Sequence, residues 1–364
     1  MNATQSLRAL GQSLWLDQIT RDLLNSGTLA RYIRDLSVTG LTSNPTIFDK
    51  AISDSHSYDD AIRSLALAGE SGEALFFNLA LEDLGRAADL FRPVHDATGG
   101  SDGWVSLEVS PLIANDTEAS VGSAAQLYAR MRRPNVFIKI PGTQAGISAI
   151  EQVIFAGIPV NVTLLFSAEQ YLAAAEAYMR GLERRVAAGL DARVGSVASI
   201  FVSRWDVAVK DRVPPELHNR LGIAIAKQTY QSYRALLAGA RWQKLAAAGA
   251  RPQRVLWAST GTKDKAARDV LYIEALAAPD TVNTMPEQTL LAFADHGQVQ
   301  GVLSASAGDA AAVLGEFARQ GIDTAALAAQ LQREGADAFA NSWRGLMASI
   351  ASKSAQTVAR AAQR

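Results

Sequence analysis

The feature that most constrains this chain is an alternation repeated eight times. A short apolar run is followed by a segment of helical periodicity, and the pair recurs as far as residue 286. The strand-like runs are LWLDQ (14–18), SVTGLTSNP (37–45), GWVSLEVSP (103–111), NVFIKIPG (135–142), IPVNVTLLFS (158–167), GSVASIFVSRW (195–205), RVLWAST (254–260) and DTVNTMP (280–286). Helices are expected in RDLLNSGTLARYIRDL, broken at Ser26 and Gly27, and over 58–69, 74–91, 118–132, 143–155, 168–189, most of 215–248, and 265–276. From Glu287 onward the chain is alanine-rich and helical, with a loop expected near Ser304–Asp309. Strands alternating with helices predict a parallel sheet covered by helices. Eight such units predict closure into an α/β (β/α)8 TIM barrel with additional N- and C-terminal helices. An open doubly wound sheet is the alternative, but neither GxGxxG nor GxxxxGK[ST] occurs to support it. Residues 1–364 are expected to form one domain, with about 287–364 as a C-terminal helical extension.

Composition narrows the function classes. Lysine plus arginine number 35 against 36 acidic residues, and no basic block stands out, so no nucleic-acid partner is expected. No apolar run approaches eighteen residues, so no membrane span is expected. Cysteine is absent, which removes disulfides, thiolate nucleophiles and cysteine metal sites, and fits a reducing compartment. The start MNATQSLRALGQS lacks a basic segment followed by an apolar core, so no secretory signal is expected and a cytoplasmic location is. His56, His95, His218 and His296 are widely spaced, and none has a partner at metal-binding spacing. Monomer and homodimer are both left open.

Polar residues recur late in the strand-like runs. Lys139 sits inside VFIKI and is the only lysine between Lys50 and Lys210. Side chains alternate along a strand, so Phe137 and Lys139 share one face while Val136, Ile138 and Ile140 share the other. With the apolar face against helices, Lys139 points into the barrel near its carboxyl-terminal end, where barrel active sites lie. Asp17, Asn44, Glu108, Asn161 with Thr163, Ser199 and Ser259 fall at matching places, and Arg204 and Lys263 follow in the loops.

Desolvation disfavours a lysine cation, and a neutral amine attacks carbonyls to form a Schiff base. A protonated imine is an electron sink for carbon–carbon cleavage, which also needs proton carriers. Glu108 and Asp17 are the carboxylates available for that work. Asn44, Asn161, Thr163 and Ser199 suit substrate hydroxyls or a catalytic water, and Arg204 and Lys263 suit a terminal phosphate. Each residue has a structural alternative: Asp17 as a cap for the helix near Thr20, Asn44 as a turn before Pro45, Arg204 paired with Asp206 or Asp211, and Lys263 beside Asp264. Trp343 and Met347, four apart in the last helical segment, are candidates for packing over the barrel mouth.

The segments LWLDQITRDLL, VTGLTSNPTIFDKAI, SLEVSP, NVFIKIPGT, GIPVNVTLLFS, SVASIFVSRWD and VLWASTGTKD together resemble the transaldolase family, in particular its longer bacterial branch with an extended C-terminal helical region. The resemblance implies transfer of a dihydroxyacetone unit from sedoheptulose 7-phosphate to D-glyceraldehyde 3-phosphate, giving erythrose 4-phosphate and fructose 6-phosphate in the pentose phosphate pathway. It implies small phosphorylated sugars as partners, and neither a cofactor nor a metal. By motif, Lys139 matches the Schiff-base lysine, Asp17 the acid/base aspartate, Glu108 the glutamate acting through a catalytic water, and Thr163 a holder of that water. Asn44, Asn161 and Ser199 match substrate-binding positions, and Arg204 a phosphate-binding arginine. Many members carry a second arginine after the seventh strand, where this chain has Lys263, a point charge rather than a planar fork. A lyase using the same lysine chemistry, such as a fructose 6-phosphate aldolase, is the alternative activity, and a non-catalytic binding barrel the third.

Overall fold

The computed structural model describes residues 2–362. Eight parallel strands close a barrel in chain order. They are β1 (Ser13–Asp17), β2 (Val38–Thr42), β3 (Trp104–Glu108), β4 (Val136–Pro141), β5 (Val160–Leu165), β6 (Ser196–Phe201), β7 (Arg254–Ala258) and β8 (Val282–Met285). β8 pairs with β1 to complete the ring, Ser13 opposite Val282. Seven strands fall within their expected runs, β1 begins one residue earlier at Ser13, and the (β/α)8 expectation stands.

The alternation of side chains divides the core in two. Outward residues such as Leu14, Leu16, Val105, Leu107, Val136, Ile138, Ile140, Val160 and Val162 join the buried layer shared with the surrounding helices. Inward residues Trp15, Trp104, Phe137, Val197, Leu256 and Val282 form a separate apolar group inside the ring. A barrel of this size is filled by side chains and leaves no pore. Burying a large apolar side chain is worth roughly 1.5–3 kcal/mol, which makes this double core the main source of stability.

The helices follow the expected order, with two that were not expected, Pro45–Ser53 and Ser203–Val209, and three further differences. The segment after β7 is helical only over Leu271–Ala275. Its earlier part, KDKAARD, offers no apolar face, and the Asp264 side chain instead turns the chain by accepting from the Ala266 amide at 3.1 Å. Residues 215–248 divide into a short 3₁₀ turn, Pro215–Leu217, and helices Leu221–Ala238 and Ala240–Ala247. The helix expected over 74–91 extends across Gly72–Ala97 and includes Pro93. The break at Ser26–Gly27 is present between helices Arg21–Asn25 and Thr28–Asp35, with Gly27 at φ 73°. The long helix Thr324–Ala362 packs against helices Pro45–Ser53, Asp59–Leu67 and Gly72–Ala97, and reaches β5. No described helix is long and apolar enough to cross a membrane.

Candidate active site

The carboxyl-terminal ends of the strands surround a cleft of about 340 Å³. Asp17, Asn44, Lys139, Thr163, Ser199, Arg204, Ser259 and Lys263 all line it. Glu108 and Asn161, the other two expected residues, lie just beneath. Parallel register explains this convergence, because Glu108 stands opposite Lys139, and Lys139 opposite Asn161. Neighbouring parallel strands thereby deliver three polar side chains to one level of the interior.

Lys139 is 5% exposed and Glu108 is 4% exposed. The Lys139 amine donates to Glu108 Oε2 at 3.1 Å and to the Ser43 carbonyl at 3.0 Å. Burial pushes the Glu108 carboxyl above the usual glutamate range, opposed by the charge and hydrogen bond of Lys139 and reinforced by the charge of Asp17. Asp17 follows the same logic. Burial raises its pKa, while the Lys139 charge, the Thr42 hydrogen bond and the Lys263 charge hold it down. Thr42 Oγ1 donates to Asp17 Oδ1 at 2.8 Å, and its oxygen lies 2.7 Å from Thr284 Oγ1. Thr20, not Asp17, caps the helix that follows β1.

A second polar layer supports the first. Ser199 Oγ donates to Asn161 Oδ1 at 2.7 Å, and Asn161 Nδ2 donates to Ser106 Oγ at 3.1 Å. These bonds leave Ser199 facing the cleft and hold Asn161 behind it. Beyond Thr163, Leu164 takes a left-handed φ of 59°, and the pairing of β5 with β6 shifts register there. Such a bulge re-aims side chains at a strand end. Two buried atoms at this level, Glu108 Oε1 and Thr163 Oγ1, have no hydrogen-bond partner among the described residues. Leaving a buried polar atom unpaired costs about 1–3 kcal/mol, so both are positioned to gain from a polar ligand.

Asn44 serves two purposes. Its Oδ1 caps the helix Pro45–Ser53 by accepting from the Ile47 amide at 3.1 Å, with Pro45 at the favoured first position. Its amide nitrogen is the group left to donate toward the cleft. Asp206, offered above as a partner for Arg204, instead accepts from the Leu221 and Gly222 amides and from the Tyr272 hydroxyl. Burial pushes the Asp206 carboxyl up to about 6. Asp264 is likewise taken by Lys210 and Asn219 rather than by Lys263. Ser259, at φ 56°, places its hydroxyl 2.8 Å from Ser203 Oγ.

The cleft also contains Thr42, Thr46, Lys50, Phe201, Thr284 and Phe339, which the sequence reading did not select. Two of these were within reach of the alternation rule. Thr42 is paired in register with Asp17, and Phe201 lies two residues beyond Ser199. Phe339 comes from the last helix and carries no local signal. Trp343, a candidate for packing over the barrel mouth, is not among the residues that line the cleft. Its ring packs on Phe76 and Phe77, with centroids 5.0 and 5.7 Å away. Among the described residues, no three His, Asp or Glu side chains converge as a metal site.

A buried amine beside one carboxylate, facing a second across a cleft lined by the cations Lys50, Arg204 and Lys263, is equipped for carbonyl chemistry on an anionic substrate. Comparison with known proteins agrees. Residues 14–350 match the family model described as transaldolase/fructose-6-phosphate aldolase. A transaldolase of Parafrankia sp. strain EAN1pec is 46% identical over 354 residues, 94% of this chain and 96% of the relative. One from Saccharopolyspora erythraea is 44% identical over 360 residues, covering 96% and 98%. One from Thiobacillus denitrificans is 43% identical over 358 residues, covering 96% and 100%. The chain belongs to the transaldolase/fructose-6-phosphate aldolase family.

Proposed function

We propose that this enzyme is a transaldolase that carries a dihydroxyacetone unit from sedoheptulose 7-phosphate to D-glyceraldehyde 3-phosphate through a Schiff base on Lys139. One observation carries this reading: the enclosed Lys139 amine, 3.1 Å from Glu108 and in a common cleft with Asp17. Transfer of a proton to Glu108 frees the amine to attack the ketose carbonyl. The carbinolamine then loses its hydroxyl as water, with Glu108 returning the proton. Glu108 Oε1 and Thr163 Oγ1, the unpartnered buried atoms, hold the water that relays it. Asp17 takes the proton from the sugar hydroxyl as the carbon–carbon bond breaks, and the iminium accepts the electron pair. The first aldose leaves, the acceptor aldehyde enters, and the same steps run in reverse.

Asn44, Asn161, Ser199 and Ser259 hold the sugar hydroxyls directly or by orienting a neighbour. Arg204 and Lys263 bind the terminal phosphate, Arg204 through its planar fork and Lys263 as a point charge. Asp206 and Asp264 engage other groups, which supports leaving both cations to the substrate. The reading also takes the chain as one domain, with about 287–364 as its helical extension, acting on small phosphorylated sugars in the cytoplasm. Sodium borohydride added with fructose 6-phosphate tests the covalent step. A reduced adduct located on Lys139 by mass spectrometry is expected, and an unmodified folded protein refutes the mechanism. Cleavage at full rate without an acceptor aldehyde marks a lyase instead.

A further inference from the structure

The helix Thr324–Ala362 is tied at two points to consecutive strand ends around the cleft. Gln332 Nε2 donates to the Gly142 carbonyl at 3.0 Å and to the Leu164 carbonyl at 2.9 Å. These carbonyls follow Lys139 and Thr163 closely in the chain. Gly335 allows the close approach, since a Cβ there would lie 2.9 Å from Leu164 Cδ2. At the second point, Trp343 Nε1 donates to Glu73 Oε1 at 2.8 Å, and the same oxygen accepts from Ser110 Oγ at 2.9 Å. Ser110 lies two residues beyond Glu108. The two anchors span the ends of β3, β4 and β5, the strands that carry Glu108, Lys139 and Thr163.

Phe339 projects between the anchors. Its ring centre is 5.6 Å from Lys139 Nζ and 6.5 Å from the ring of Phe201. It lines the cleft yet is only 6% exposed. We infer that Phe339 is a specificity-determining residue: its ring covers the carbon joined to Lys139 and keeps water from it, so that the bound unit departs on an aldehyde and not by hydrolysis. This rests on the Schiff-base function proposed above. The step it suppresses is simple. The enamine takes a proton on carbon and becomes an iminium, water adds across the C=N bond, and the C–N bond breaks to give free dihydroxyacetone and the Lys139 amine. An aromatic face gives an approaching water no strong hydrogen-bond partner, while attracting the iminium cation. Gln332 is a positioning residue for this cover.

The test supplies the full-length enzyme with fructose 6-phosphate, with and without erythrose 4-phosphate as acceptor. It measures free dihydroxyacetone against the unit transferred. Phe339→Ala is expected to raise the ratio of release to transfer about tenfold, by admitting water to the intermediate. Phe339→Leu, which keeps an apolar cover, should fall nearer the wild type. Gln332→Ala should raise the ratio by less. An unchanged ratio in folded Phe339→Ala that still forms the borohydride adduct overturns the inference and leaves the Schiff base standing. Absence of the adduct in the wild type overturns the mechanism itself. If Phe339→Ala does not fold, Gln332→Ala decides, and an unmoved ratio there overturns the inference.

Discussion

The two ends of the barrel are built from the same strands and have opposite characters. At the lower end Trp104 stacks on Phe137 with centroids 4.1 Å apart, and Trp15 lies 6.1 Å from Phe137. A Cβ on Gly40 would come within 2.6 Å of the Trp15 ring, so glycine makes room for the indole. Asp102 accepts from Trp15 Nε1 at 2.8 Å and from Ser13 Oγ. Two residues further along β1, Trp15 gives way to Asp17, and two residues along β4, Phe137 gives way to Lys139. The lower layer is filled by apolar contact, whereas the upper one keeps a cavity and buries carboxylates that burial disfavours. One period of the pleat separates the part that stabilises from the part that reacts, at some cost in stability to the second.

The contrast is sharpest at Lys139. Lys139→Ala should lower turnover by about four powers of ten or more while leaving the thermal midpoint close to wild type. A coupled assay and a melt check both halves, and substantial turnover in the folded variant breaks the comparison. Trp15→Ala is its mirror image. It should cost about 3–5 kcal/mol in urea unfolding, with near-normal turnover by the protein that remains folded. A loss below about 1 kcal/mol would mean that the lower layer is not the stabilising one. Arg204→Ala should raise KM for a phosphorylated donor about ten- to a hundredfold, the range for losing hydrogen bonds to a charged group, with a smaller change in kcat. An unchanged KM removes Arg204 from phosphate binding.

The smallest effect is a change in pH dependence. In the mechanism proposed above Asp17 acts as base in its ionised form, so protonation below its pKa should produce the acid limb of kcat/KM. The Thr42 hydrogen bond stabilises the ionised form and lowers that pKa. Thr42→Val should therefore move the acid limb to higher pH. A limb that stays in place or moves down counts against Asp17 as the base.

Most of this arrangement was legible in the sequence because both signals are local. The eight strands announce themselves as apolar runs, and the period of two points Asp17, Glu108, Lys139, Asn161 and Thr163 inward. The helix expected over 265–276 was misjudged because the turn at Asp264 depends on side-chain contacts with Lys210 and Asn219, distant in sequence. Phe339 was invisible for a related reason. It lies in an alanine-rich helix whose path over the barrel is set by Gln332 meeting the ends of β4 and β5 and by Trp343 meeting Glu73 of the helix Gly72–Ala97, all distant in sequence. Trp343 lies one turn after Phe339, and helical spacing alone does not say which of the two turns faces the cleft.

The stacked aromatic floor has a kinetic corollary. With Trp15, Trp104 and Phe137 packed inside the barrel beneath it, the cleft has its doorway at the carboxyl-terminal ends of the strands. The departing aldose must clear that doorway before the next aldehyde can pass. Initial velocities measured against both substrates should therefore give parallel double-reciprocal lines, the pattern of two half-reactions taken in turn.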